Sequence, residues 1–383
     1  MDVRLATSLL AAALVSGCQG GSRGRREAPD MTASTRPLAP VAPSVSPAPP
    51  APAAPASAPD AEMPGPLRMR REEAVRLNAT CEACHTAEAS GWQRSHHAQS
   101  GVNPAYRRSL ANEPTPFCRG CHVPEGNPRG PSPAAIEALG VGCVTCHVTT
   151  PGEVLAAVGP GAAGAPHAVR RSESFTASGA CQNCHEFRFP GSVGDADGRF
   201  MQTTVREHAR SSSASTPCAG CHMPAGEDGH RSHAFAQMRD PAWLRSQLAA
   251  SAERDEDDVL ITLRQTGPGH AFPSGDLFRR LEVGVEARDA SGRVVERQRR
   301  HLARHLEVLP GAGPAGRQLT LDNRVLDRPS VVEFSLPPAT HGLTLSWWVT
   351  YERVASVGAG HEPGRATVES RVPLASGVLS PPP

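Results

Sequence analysis

Cys81-Glu-Ala-Cys84-His85, Cys118-Arg-Gly-Cys121-His122, Cys143-Val-Thr-Cys146-His147, Cys181-Gln-Asn-Cys184-His185 and Cys218-Ala-Gly-Cys221-His222 are five copies of one frame, C-x-x-C-H, within 142 residues. The frame is that of c-type haem attachment: two thiols add across the haem vinyl groups, and the next imidazole becomes the proximal ligand of the iron. A single C-x-x-C would equally suit a zinc site or a redox dithiol. Zinc does not require a histidine after every second cysteine. Disulfides would leave the five histidines His85, His122, His147, His185 and His222 unexplained. The reading is therefore five covalently bound haem c, at about thirty residues per haem.

That density forces the haems to pack on one another, which suits electron hopping. It also accounts for the composition. The 383-residue chain is 39% hydrophobic and only 4% aromatic, little for packing a core of this size, so porphyrins are expected to supply the missing interior. The formal charge of +1 argues against nucleic acid as a partner, although two propionates per haem would make the assembled protein more acidic. All 39 basic residues are arginine, to which no function is attached.

The eleventh cysteine, Cys18, stands apart. An apolar run from Leu5 to Val15 ends in Val15-Ser16-Gly17-Cys18, the form of a signal peptide closed by a lipobox and too short for a permanent membrane span. Cleavage before Cys18 and acylation would anchor the chain by lipid. Gln19, in place of an aspartate, points to an exported lipoprotein on the periplasmic face of the outer membrane or the cell surface. From Ala28 to Pro66, 12 of 39 residues are proline, a semi-extended tether. The expected organisation is a signal peptide over 1–18, a tether over 19–66, a pentahaem domain over 67–255 and a β-sandwich over 256–383. The fold class is α + β multidomain, a mostly helical, loop-rich haem domain followed by an antiparallel sandwich.

Eleven histidines lie outside the five frames, and their use separates an electron carrier from an enzyme with an open haem. Five are expected as distal ligands: His97 on a short helix, His167 between the third and fourth frames, His230 and His233 after the fifth, and His270 in Gly267-Pro-Gly-His270-Ala-Phe-Pro-Ser-Gly275. His96 is the neighbour most easily confused with His97. Trp92-Gln-Arg-Ser95-His96-His97-Ala98 aligns with His208-Ala-Arg-Ser211-Ser-Ser-Ala214, which places His208 at the Trp92 position and Ser213 at that of His97. His208 is therefore read as a non-ligand. Met201 and Met223 are further ligand types to consider. His301 and His305, spaced to pinch a metal on a helix, sit in an Arg-rich stretch read as solvated, and no glutamate follows His301 as in zinc proteases. His341 and His361 need no role.

Helix is expected over 69–80 leading into Cys81, from Ser132-Pro133 to Leu139 with Gly140 as terminator, on a face shared by Met201, Val205 and His208, and from Asp240-Pro241 to Ala252. Beyond residue 256 alternation takes over: Val259, Ile261 and Leu263, then Leu281, Val283, Val285 and Ala287, with further strand-like runs at 305–309, 317–322, 331–336, 343–352 and 366–373.

The chain resembles bacterial multihaem c-type cytochromes of the broad grouping that contains hydroxylamine oxidoreductase and its tetrahaem electron-acceptor cytochrome. The resemblance rests on Trp92…Ser95…His97-Ala98, Gly140-Val-Gly-Cys143…Cys146-His147, Cys221-His222-Met-Pro with His233 downstream, and Gly269-His270…Pro273…Gly275, over about residues 81–276. It implies largely bis-His, low-potential haems passing electrons between periplasmic or membrane redox proteins. Ser213 departs from the pattern, and so does the lack of the Cys-x-x-Cys-Lys frame that pentahaem nitrite reductases of this grouping use. Neither Tyr106 nor Tyr351 suits the cross-link of hydroxylamine oxidoreductase. The alternative reading is an oxidoreductase with one open haem acting on a small nitrogen or sulfur oxyspecies, in which case a small oxyanion is the substrate.

Overall fold

The computed structural model describes residues 63–159, 165–227, 229–235, 240–267, 269–308, 317–355 and 366–381. Cys18 with its lipobox, nearly all of the tether, and His361 lie outside the described residues.

The N-terminal part is helical and built from short pieces: α1 (Glu72–Cys84), α2 (Thr86–Gln93), α3 (Pro104–Asn112), α4 (Pro116–His122), α5 (Ala134–Leu139), α6 (Cys143–His147), α7 (Glu173–Thr176), α8 (Gly179–His185), α9 (Thr204–Ala209), α10 (Cys218–His222) and α11 (Pro241–Ser246). Between them lie two small ladders, β1 (Val154–Ala157) parallel to β2 (Val169–Ser172), and β3 (Glu186–Arg188) antiparallel to β4 (Phe200–Thr203). Met201 thus lies on a strand, not on the helical face expected with Val205 and His208. The alternation of buried Phe200 and Gln202 with Met201 pairs this segment with β3 before α9 starts.

The C-terminal part is antiparallel β-structure: β5 (Leu248–Asp255), β6 (Asp258–Gln265), β7 (Arg279–Arg288), β8 (Val294–Leu302), β9 (Arg304–Val308), β10 (Arg317–Asp322), β11 (Ser330–Ser335), β12 (Leu345–Val354) and β13 (Val368–Leu379). A three-stranded sheet, β11-β6-β5, faces a four-stranded one, β13-β12-β7-β8, and β9 and β10 form a separate hairpin. The buried alternate residues Val259, Ile261 and Leu263 of β6 meet Leu281, Val283 and Val285 of β7 and Leu345, Trp347 and Val349 of β12 in one core.

Two further segments differ from expectation. The helix opened by Asp240, whose carboxylate accepts from Ala242 N at 2.8 Å, ends at Ser246. Leu248, Ala250 and Ala252 then pair with Gln265, Leu263 and Ile261, because that register puts their small side chains against the sandwich core. The Arg-rich stretch around His301 is edge strand β8, paired with β7 from Leu281↔Leu302 to Arg288↔Val294. Charged side chains on an edge strand discourage pairing with other chains, so its polarity is that of an edge, not of a solvated loop.

The two parts are joined by ion pairs and one small apolar cluster. Arg324 pairs with Glu207 of α9, with side chains 3% and 11% exposed, and Glu207 also accepts from Ala271 N at 3.1 Å. Arg304 donates to the carbonyls of Met201 and Asp197, Arg317 pairs with Glu113, and Arg108 with Glu369. Phe189, Leu277 and Leu306 close the gap. Burial alone would raise the Glu207 pKa, but Arg324, Thr203 and the Ala271 amide outweigh it and hold the carboxyl below 4.5. A lowered folded-state pKa means this contribution is complete above the unfolded value and is lost as pH falls through the folded one. Arg324→Ala, which strands a buried carboxylate, should cost about 3–5 kcal/mol and weaken this acid dependence, read as denaturation midpoints above and below pH 4.5.

Candidate functional site

Each of the five frames ends a helix. α1 runs through Cys81 to Cys84, and α4, α6, α8 and α10 each end on the frame's histidine. One helical turn sets the two thiols and the imidazole on one side of the chain. None of the ten cysteines is in a disulfide. Burial pushes the Cys143 thiol up to about 12, and those of Cys118 and Cys146 up to about 11. The hydrogen bond with Cys181 instead brings the Cys218 thiol down to about 5.

Four of the five frame histidines face an imidazole from elsewhere in the chain. Ring centroids are 6.4 Å apart for His85 and His167, 6.1 Å for His185 and His97, 6.2 Å for His147 and His233, and 6.1 Å for His222 and His270. Metal–imidazole bonds of about 2 Å place two rings on opposite sides of one metal at about this separation. Direct ring packing would bring them nearer.

The nitrogens agree. His147 Nδ1 lies 2.9 Å from Leu155 O, His233 Nδ1 2.9 Å from Arg231 O, His270 Nδ1 3.2 Å from Ala271 O and His167 Nδ1 3.4 Å from Ala168 O. An Nδ1–H donated to a carbonyl fixes the ring and leaves Nε2 for a metal. Burial lowers the pKa of His97 to about 4 and of His185 to about 3, so both are neutral at pH 7, as ligation requires.

The remaining candidates sit otherwise. His230 Nδ1 is 3.1 Å from Glu88 Oε1. His208 spends Nε2 on Thr216 O at 2.9 Å, much as Trp92 donates Nε1 to Val141 O at 2.8 Å. The two aligned segments therefore share a buried ring that pins a backbone carbonyl. The turn that follows repeats as well, Ser95 N donating to Trp92 O at 2.8 Å and Ser211 N to His208 O at 3.0 Å. His97 follows α2 in a turn rather than on a helix.

His122 belongs to none of the four pairs. Its Nδ1 lies 3.2 Å from Ser100 O, and its ring stacks on Tyr106, with centroids 4.0 Å apart and planes 3° from parallel. The Tyr106 hydroxyl and Ser109 Oγ are buried without a hydrogen-bond partner, and burial pushes the phenol up to about 12. Buried polar groups left in this way call for an explanation. So does apolar surface: Leu67 and Met69 are about half exposed, and the apolar cluster of the helical part holds five buried residues against eighteen in the sandwich. Bound porphyrins, flat and apolar with polar propionates at one edge, fit both observations.

The frames touch one another. The Cys121 and Cys184 thiols are in contact, as are those of Cys181 and Cys218, so the fourth frame adjoins the second and the fifth. Behind them runs a strap, residues 64–71, that the sequence did not reveal. Asn183 Nδ2 donates to Pro64 O, Leu67 N to Gly120 O, Met69 N to Pro124 O and Arg71 N to Glu125 O. Leu67, Met69 and Arg71 hold φ of 56–59°, each costing roughly 1–2 kcal/mol. Arg70 offsets this by bonding fully buried Glu125 and the carbonyls of Val148 and Thr149, and Thr145 Oγ1 donates to the same carboxylate.

Residues 80–148 match the family described as cytochrome c554 and c-prime. A penta-heme cytochrome c552 from Thermochromatium tepidum superimposes with a TM-score of 0.58 at 18% identity, over 82% of this chain and 100% of that one. MtrC from Shewanella baltica OS185 gives a TM-score of 0.16 at 14% identity, over 62% of this chain and 35% of that chain. No curated protein matches the chain.

Gly140, with φ of +57°, ends α5 against the turn that carries His97, and a Cβ there would lie 2.5 Å from His97 O. Gly140→Ala should destabilise the protein by about 1–3 kcal/mol and displace His97, read as a change in the optical spectrum of one haem out of the set. The matching family segment, the superposition over the whole of the c552 chain and the five frames together support a multihaem c-type cytochrome with covalently bound haem c.

Proposed function

We propose that the chain is a lipid-anchored pentahaem electron carrier of the broad grouping of hydroxylamine oxidoreductase and its tetrahaem acceptor cytochrome. It would pass electrons between redox proteins at the periplasmic face of the outer membrane or at the cell surface. The observation that carries the reading is the set of four imidazole pairs at 6.1–6.4 Å, each joining a frame histidine to a remote one. In this reading the bis-His pairs are His85 with His167, His147 with His233, His185 with His97, and His222 with His270. Haem c supplies a one-electron couple when bound. The chain's own residues would attach it through the ten thiols, offer an imidazole pair to each of four centres, and keep the frames in contact so that the fourth joins the second and the fifth.

One observation favours a second role at the remaining centre. His122 is stacked on Tyr106 and, among the described residues, is in none of the pairs at 6.1–6.4 Å, which supports a second haem that could take a small nitrogen or sulfur oxyspecies.

Mass spectrometry of the purified protein should show five haem additions, and its EPR spectrum four low-spin haems with one high-spin haem that responds to nitrite, hydroxylamine or CO. Five low-spin signals inert to all three would remove the second role. His270→Ala should convert one low-spin haem to high spin; an unchanged spectrum would refute the assigned pairing of His222. Cys18→Ser should shift the protein from the membrane fraction to the soluble one, and retention in the membrane would exclude the lipid anchor.

A further inference from the structure

The outward face of the four-stranded sheet buries charge. Arg280, Glu282, Glu286 and Glu352 are each less than one-tenth exposed. Gly284 lies among them, and the Trp348 indole crosses the space its missing side chain leaves, with Cζ2 2.2 Å from where a Cβ would stand. Trp348 Nε1 then donates to Glu282 Oε1 at 2.9 Å. Both oxygens of Glu352 are taken, Oε2 by Arg280 Nε and Oε1 by Arg371 Nε, each at 2.8 Å.

Over this face opens a cavity of about 520 Å³. Its polar lining is Arg280, Glu282, Arg299, Arg300, His301 and Arg371, with His305 and Asn323 bonded to each other at its edge and Leu321 and Val368 as apolar wall. His301 is 90% buried; its Nε2 stands 3.7 Å from Glu282 Oε2 and has no hydrogen-bond partner. Arg299 also stands 3.7 Å from that oxygen, with 43% of its side chain exposed. Arg371 is 57% exposed beyond its bond to Glu352.

Glu282, His301 and Glu352 lie close enough to share a divalent cation, but their surroundings oppose one. Two guanidinium groups already neutralise Glu352, and four arginines against two carboxylates leave an excess of two positive charges before any histidine is counted. The unmet requirement here is for an acceptor facing a buried ring N–H and two half-exposed guanidinium forks. Guanidinium matches the oxygens of tetrahedral anions in pairs, and the carboxylates behind these arginines hold them in place before any ligand arrives.

We propose that this cavity binds a small oxyanion of the phosphate or sulfate class, its oxygens taken by His301 Nε2–H and by outward N–H groups of Arg299 and Arg371. The site is built by the β domain alone, so its failure would leave the electron-transfer reading untouched.

The test is the melting temperature of the full-length holoprotein, titrated with inorganic phosphate, sulfate, chloride or zinc at matched ionic strength. Phosphate and sulfate should each give a saturable rise that chloride does not. Arg299→Gln and His301→Gln should each raise the half-saturating phosphate concentration about tenfold with the haem spectrum unchanged. An equal response to chloride, a response to zinc alone, or variants that titrate like the parent would overturn the proposal.

Discussion

Imidazole rings held 6.1–6.4 Å apart are the constraint on which the helical part depends. Side chains left to pack by themselves would close such a gap. Here the backbone keeps it open: carbonyls anchor the outer nitrogens, Gly140 lets a chain turn press against the carbonyl of His97, and the strained strap ties the second, third and fourth frames together. The meagre apolar cluster of this part follows from the same constraint. Space reserved for large flat groups is not available to leucine and valine.

The sandwich obeys ordinary rules by comparison. Its alternating runs bury one face of each sheet, and eighteen residues supply its core. It also acts on the helical part. The loop after β6 presents His270 to His222, and Arg324 and Arg304 enter the surface of α9 and β4. A β domain that holds a ring opposite a frame histidine of its neighbour is more than a spacer.

Much of this was legible in the residues. The five frames, the alternation in β6, β7 and β12, and the weakness of the aromatic complement could be read directly. The equivalence of Trp92 and His208 was visible as an alignment, though its meaning, a ring N–H pinning a carbonyl, needed coordinates. Which histidine faces which frame was not legible, because His97 and His185 are separated by two intervening frames and meet only through packing. The stacking of Tyr106 on His122 left no periodic trace either. β8 was hidden for a different reason. An edge strand facing charge on one side need not alternate in hydrophobicity, and nine residues containing three arginines do not resemble a strand until β7 is beside them.

The order of these contacts along the chain has a consequence for synthesis, which proceeds from the N-terminus. The ring that faces His185 comes from His97, already made when the fourth frame emerges. The rings that face His85, His147 and His222 come later, at His167, His233 and His270. For His222 the delay is longest in structural terms, since the His270 loop is positioned only after β5 and β6 have paired and Val325 has bonded the backbone of Phe272. The fifth frame therefore exists for a time with its histidine facing nothing. Completion of that pair waits on folding of the sandwich, so the fifth frame is set by the domain made after it.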